Sequence, residues 1–319
     1  MNEFDLISRI RARAGKGDGV VVGIGDDAAV LQPGRGMQLV ATVDNLVAGR
    51  HFDETATPAE IGHLALAVNL SDLAAMGARP RWCLLTLTLP EPDPVWLDGF
   101  LDGFLGLADA QACSLVGGNM ARGPLDIAVT ALGEVPAGHY VGRRGARLGD
   151  RLLVTGALGD AGFAWRHGMT AEDPLREPLL KPVPRLDTGA AMAPGAHAMI
   201  DVSDGLMADL VHLLDGKLGA EIDCTRLPAS AELRARVPND RDRWQLQLAG
   251  GGDYELLAAW PATVPLPRTG ETPLTEIGRI VAMPGIRCLD ADGKPLAVDA
   301  PGWDHFRDEE RREPQGDPE

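Results

Sequence analysis

The strongest constraint on this chain is that short apolar strands recur along it with helices between only some of them. Val20–Val22 and Gln38–Val43 read as strands with Gly23-Ile24-Gly25-Asp26-Asp27 between them. Ser114–Val116 is a short buried strand leading into Gly117-Gly118, and the strand Asp126–Val135 follows without a helical period between. Tyr254–Ala259, Glu276–Val281 and Gly285–Leu289 repeat this habit, with Asp292-Gly293 as a hairpin turn. Trp82–Leu89, Asp150–Thr155 and Ala198–Val202 complete the predicted strands. A first helix fits Asn2 to Ala14, with Phe4, Ile7 and Ile10 on one face and Gly15 and Gly17 as its stop. Pro58–Met76 is the clearest helix: Thr57 and Glu60 form a capping box, Pro58 takes the first helical position and Gly77 ends it. Pro94–Ala112 and Leu206–Leu214 are also helical. Strands and helices in runs, without strict alternation, predict an α+β fold in both halves.

Length sets the number of halves. The chain has 319 residues, and about 150 residues per domain predicts two. Residues 136–149 are rich in Gly and Arg, so the boundary is placed there, giving domains 1–137 and 138–306. Residues 307–319 carry six acids, three bases, two prolines and a glycine, and read as a solvated, disordered tail. With 30 Lys+Arg against 46 Asp+Glu, the net charge is −16, and aromatic residues are only 4%. That balance argues against a nucleic-acid groove and against docking on anionic membrane. No apolar run is long enough to cross a bilayer, and the N-terminus lacks a signal-peptide pattern. Cys83, Cys113, Cys224 and Cys288 lie far apart and read as reduced core thiols of a cytoplasmic protein.

The chemistry is suggested by carboxylates set beside glycines at predicted strand ends. Asp26 and Asp27 follow Gly23-Ile24-Gly25, Asp44 ends its strand, and Asp72 shares a helix face with Asn69. Asn119 follows Gly117-Gly118, Asp201 and Asp204 flank Ser203, and Asp253 follows Gly250-Gly251-Gly252. One such Asp taken alone is a turn former or a helix cap. Several together point to oxygen-only ligation of a hard cation such as Mg²⁺, which keeps waters and also binds substrate phosphates. No Cys/His spacing suits zinc, and the P-loop, the full dinucleotide fingerprint and the serine-hydrolase elbow are absent. His51 reads alone as a structural or surface residue. Arg143-Arg144 reads equally as a phosphate clamp or a solvated basic turn. Any anionic ligand meets a strongly negative chain, so its charge must be balanced locally.

Longer strings carry a resemblance. Gly23–Val30 (GIGDDAAV), Asp44 with Leu46–Gly49 and His51-Phe52, and Ala67–Gly77 (AVNLSDLAAMG) are similar to the thiamine-monophosphate kinase family. So are Asp201–Leu206 (DVSDGL), Gly250–Leu256 (GGGDYEL) and Gly302–Phe306 (GWDHF). They stand in the family's order across residues 3–306, and single pieces also occur in the wider superfamily of aminoimidazole ribonucleotide synthetase-like enzymes. The resemblance implies ATP-dependent phosphorylation of thiamine phosphate to thiamine diphosphate with several Mg²⁺ ions. It also implies a homodimer that pairs the sheets of its mixed α/β N-terminal domains, each followed by an α/β C-terminal domain. Carried over by motif, Asp27, Asp44, Asp72, Asn119, Asp201 and Asp204 hold metal, with Thr42 and the Val43 carbonyl adding oxygens. Gly118, Asn119, Arg143 and Ser203 contact ATP, while His51, Gly252 and Trp303 contact thiamine phosphate. Asp27, Asp204 and Arg143 carry the catalytic weight.

Three departures stand out. Asn119 replaces a usual Asp and removes one charge, Gly252 replaces a frequent Glu, and Val43 replaces a usual Thr or Ser. The alternative readings are another ATP-dependent synthetase of the superfamily and a non-catalytic divalent-cation-binding protein. A phosphate monoester acceptor has its second pKa at about 6 and is already nucleophilic at neutral pH. The expectation is therefore direct in-line transfer without a phospho-enzyme, driven by positioning and charge neutralisation.

Overall fold

The structure is a computed structural model that describes residues 3–15, 17–298 and 302. The chain divides into two compact units, Met1–Tyr140 and Val141–Glu319. Asn2, Trp303 and the predicted tail lie outside the described residues.

The first unit begins with α1 (Glu3–Arg13). Leu6 and Ile10, one turn apart, are its buried stripe. Arg9 and Arg13 pair with Asp98 and Asp102 and so tie α1 to α3 (Pro94–Ala110). Two short antiparallel strands, β1 (Val20–Val22) and β2 (Val30–Leu31), make a hairpin whose tip holds Gly23–Asp27. The main sheet has the order β3-β6-β4-β5. Its strands are β3 (Met37–Val47), β4 (Arg79–Leu89), β5 (Ser114–Arg122) and β6 (Asp126–Pro136). Only β4 and β5 run parallel, and α3 is their crossover. Helix α2 (Pro58–Ala75) starts on the predicted capping box, with Thr57 accepting from the Glu60 amide and Glu60 reaching back to the Thr57 amide. It packs against α3 closely enough that a Cβ on Gly62 or Gly103 would meet the Phe100 or Ala59 carbonyl oxygen at 2.0 or 1.8 Å.

Two strands run several residues past their predicted C-terminal ends, and this moves site residues. β3 continues past Val43 to Val47 because β6 keeps pairing with it as far as Asp126, so Asp44 lies inside the strand and not at its end. β5 likewise continues to Arg122 along β4, so Gly117, Gly118 and Asn119 are strand residues. A bulge opposite Cys83 and Leu84 sets their register.

The second unit is built on a six-stranded sheet of order β12-β9-β11-β7-β10-β8, antiparallel except for β12 and β9. The strands are β7 (Arg151–Thr155), β8 (Ala198–Val202), β9 (Gly219–Asp223), β10 (Glu255–Trp260), β11 (Leu274–Val281) and β12 (Gly285–Leu289). Strand β9 has no counterpart in the sequence prediction. The helices are α4 (Asp160–His167), α5 (Arg176–Leu180), α6 (Leu186–Met192), α7 (Leu206–Leu214), α8 (Ala231–Arg236) and α9 (Asp240–Ala249). Leu206, Leu210 and Leu213 of α7 and Trp244 and Leu248 of α9 form one core with Leu152, Val154, Val202 and Leu257 of the sheet. A smaller core joins Phe163, Leu233 and Leu246. The predicted Asp292-Gly293 turn forms, and all four cysteines are free and buried. Among the described residues no helix is long and apolar enough to cross a membrane.

Candidate active site

The predicted site residues fall into three places. The first is a cleft of about 980 Å³ in the N-terminal unit. Its walls are α1, the hairpin tip Gly23–Asp27, and the β4–β5 edge of the sheet with Gly118 and Asn119. The hairpin tip is folded by its own residues: the Asp26 carboxylate accepts from the Asp27 amide at 2.9 Å, and Gly25 takes φ +114°. The Asp27 carboxylate and the Asn119 side-chain carboxamide are left with no protein partner among the described residues. Arg11 lies over Gly25, whose Cβ would stand 2.5 Å from its Nη1. It too has no hydrogen-bond or ion-pair partner among the described residues. Gly118 is required by packing, since a Cβ there would sit 1.8 Å from the Leu85 carbonyl oxygen. The cleft therefore offers oxygen donors, a guanidinium and close backbone approach side by side. Sequence reasoning did not single out Arg11; its nearness to Gly25 exists only once α1 is docked.

The second place is the contact of β3 with α2. Thr42 and Asp44 are two residues apart and share a strand face, while Asn69 and Asp72 share a helix face. The Thr42 hydroxyl donates to the Asp72 carboxylate. The buried Asn69 accepts from the Asp44 amide at 3.0 Å and donates to the Ala65 carbonyl, so it pins the strand to the helix. Val43 points to the opposite face and is 62% exposed, leaving only its carbonyl as a donor on this strand segment. His51 closes the loop after β3: its Nδ1 accepts from the Val47 amide at 2.9 Å, which puts the neutral ring's proton on Nε2.

The third place is in the C-terminal unit, where β8 meets α7. Asp201 is a buried residue of β8, next to the strand's last residue. Beyond it, Ser203 and Asp204 form the loop into α7 and are half-buried. The Ser203 carbonyl accepts from the Gly252 amide at 2.8 Å, so the triple-glycine loop rests on the Ser203 loop. Gly252 takes φ +85°, where a Glu would be strained. Asp209, unremarked in the sequence, accepts from the amides of Ser203, Asp204 and Gly205. Burial first, then the charge of Asp204, pushes its carboxyl up to about 7. Asp253 takes the Gly159 amide on both oxygens, at 3.1 and 2.9 Å, so it builds the Gly156–Gly162 loop. Burial pushes that carboxyl well above the ordinary range. Arg143 lies on the exposed segment between Val141 and Asp150, close in sequence to Gly142, whose carbonyl accepts from the Met199 amide.

Among the described residues no group of three or more His, Cys, Asp or Glu side chains stands close enough to hold a metal ion by itself. This donor set still suits Mg²⁺. That ion is commonly held by one or two carboxylates, its remaining positions being filled by phosphate and water oxygens. Asp27 in the cleft and Asp72 beside Thr42 are donors of that kind.

Comparison with known proteins gives the family. The family described as "AIR synthase related protein, N-terminal domain" matches residues 25–135. The thiamine-monophosphate kinase of Escherichia coli strain K12 is 41% identical over 95% of this chain and 98% of its own length. The crystal structure of thiamine-monophosphate kinase from Stenotrophomonas maltophilia K279a is 44% identical, covers 93% of this chain and 98% of its own, and superposes with a TM-score of 0.82. A structure described as AaThiL complexed with AMPPCP and TMP is 33% identical over 95% of this chain and 97% of its own, with a TM-score of 0.75. At this identity over nearly the whole chain, the protein belongs to the thiamine-monophosphate kinase family.

Proposed function

We propose that this chain transfers the γ-phosphoryl group of ATP to thiamine phosphate, giving thiamine diphosphate and ADP. The observation that carries the reading is the N-terminal cleft, where Asp27, Asn119 and Arg11 face a nucleotide-sized space bordered by Gly118. Its support is a chain-long similarity to relatives named for this activity and a relative's complex with AMPPCP and TMP. The acceptor oxygen belongs to a phosphate that is mostly dianionic at neutral pH, so no strong base is needed. What the protein must supply is positioning and relief of repulsion between two polyanions. Mg²⁺ would be held by Asp27, by Asp44 and Asp72 with Thr42, and by Asp204, and when bound it supplies charge neutralisation at the phosphate oxygens. Arg11 and Arg143 cover phosphate charge by paired N–H donors. Gly118, Asn119 and Ser203 contact ATP, and His51, Gly252 and Trp303 contact thiamine phosphate. Asp201 and the Val43 carbonyl complete the donor set, Asp201 from within β8. Transfer is direct and in line, without a phospho-enzyme.

The working unit in this reading is a cytoplasmic homodimer. Leu39, Val43 and Val47 alternate on the face of β3 turned away from α2 and are exposed, which supports pairing of that sheet with a second copy. The test is to incubate the protein with ATP, Mg²⁺ and thiamine phosphate and to assay thiamine diphosphate. The Asp27→Asn variant should lose turnover with an unchanged melting temperature, and near-normal turnover would overturn the assignment. Turnover of ATP that requires a different acceptor would favour another synthetase chemistry.

A further inference from the structure

The start of α7 breaks a general habit of helix N-termini. Free N–H groups and the positive end of the helix dipole usually make such a terminus an anion receptor. Here the three amides leading into it, those of Ser203, Asp204 and Gly205, all point at one oxygen, Oδ2 of Asp209, at 3.0, 3.1 and 3.1 Å. Asp209 is 3% exposed and belongs to the first turn of the same helix, its own amide bonded to the Gly205 carbonyl at 3.0 Å. A buried carboxylate is costly, and three amides donating to one oxygen offset part of that cost. Those amides are then unavailable to an external phosphate. The groups the loop still presents are the Asp204 carboxylate and the Ser203 hydroxyl, while the Ser203 carbonyl is held from behind by the Gly252 amide.

We propose that Asp209 is a positioning residue that converts this helix N-terminus from an anion receptor into a loop presenting Asp204 to a cation. The proposal rests on the proposed function for the roles of Ser203 and Asp204, but the geometry it starts from does not. With the amides satisfied from within, the loop binds nucleotide through its metal and not through its backbone. Losing Asp209 should therefore impair metal-dependent binding selectively and release the amides.

The experiment compares the full-length wild type with Asp209→Ala and Asp209→Asn. Amide hydrogen exchange over residues 203–205 of the ligand-free protein should accelerate by about tenfold or more in Asp209→Ala. It should accelerate less in Asp209→Asn, which keeps one acceptor oxygen. Calorimetric titration with AMPPCP should show Mg²⁺-dependent binding weakened by about tenfold in Asp209→Ala, in line with lost charge-assisted bonds. Metal-free AMPPCP binding should hold or tighten, and Asp209→Asn should recover most of the loss. Unchanged exchange overturns the geometry. Accelerated exchange with both binding modes weakened equally, or neither, overturns the positioning role and leaves Asp209 a structural group. If Asp209→Ala does not fold, Asp209→Asn carries the comparison against the same two readouts. Wild-type protein without Mg²⁺-dependent AMPPCP binding would overturn the proposed function, whereas the exchange result would report on the loop alone.

Discussion

Arg185→Ala is the sharpest test of what holds the triple-glycine loop in place. Glu255 lies three residues beyond Gly252, opens β10, and has a side chain only 5% exposed. Its carboxylate receives Arg185 Nε at 2.8 Å, Arg185 Nη2 at 2.6 Å and the Thr155 hydroxyl at 2.6 Å. The Thr155 oxygen in turn accepts from the Leu256 amide at 2.8 Å. Gly156 makes room for the pair, since a Cβ there would lie 1.8 Å from Glu255 Oε1. Removing the guanidinium leaves a buried carboxylate with one hydroxyl donor, beside the Asp160 and Asp253 carboxyls whose own ionisation Glu255 disfavours. Breaking a buried pair by removing one partner costs about 3–5 kcal/mol. Arg185 is itself 23% exposed, so water partly replaces it and the lower end, about 3 kcal/mol, applies. For a unit of this size that corresponds to a fall of about 6–12 °C in melting temperature. Urea denaturation measures the free energy directly. Replacing both partners, Arg185→Met with Glu255→Gln, should lose clearly less than the two single losses added together. A stability loss under about 0.5 kcal/mol for Arg185→Ala, the level of an ordinary surface change, would refute the reasoning.

Two further outcomes follow from the same geometry. Gly118→Ala must push β5 from β4 at Leu85, which should cost about 1–3 kcal/mol in urea denaturation and also remove AMPPCP binding to the cleft. Asp253 has a folded-state carboxyl pushed well above its ordinary value, so the unfolded chain releases that proton first as pH rises. Its contribution is fully present below about pH 4 and is lost as pH rises towards the folded value. Asp253→Asn should flatten that part of the melting temperature against pH profile, and an unchanged slope would exclude Asp253 as its source.

Much of the site was legible because its signals are local. Thr57, Pro58 and Glu60 announce the start of α2 through bonds that span only three residues, and the structure shows that cap. The Gly-Asp strings mark turns because glycine reaches backbone angles that other residues avoid, as Gly25 and Gly252 do. Family motifs then attached a chemistry to Asp27, Asp72 and Asp204. Where a strand stops is not local: β3 runs on to Val47 because β6, some eighty residues later, keeps offering partners. A two-residue strand such as β2, or β9 in the middle of a sheet, leaves too short a pattern to read alone.

What the sequence by itself determined was the class of fold and the capped start of α2, and it offered a set of candidate oxygen donors. Each of these depends on neighbours within a few positions or on strings that survive as motifs. Tertiary structure alone decided how those donors are shared out. It sent Thr42 and Asp44 to the α2 face and Val43 away from it, placed Asp27 and Asn119 around one cleft with Arg11, and buried Asp201. It also brought Arg185 to Glu255 across seventy positions and turned three amides onto Asp209. The physical reason is register. A side chain's face, its burial and its partner are set by which distant strand or helix it meets, and the chain encodes that only through the packing of the whole unit.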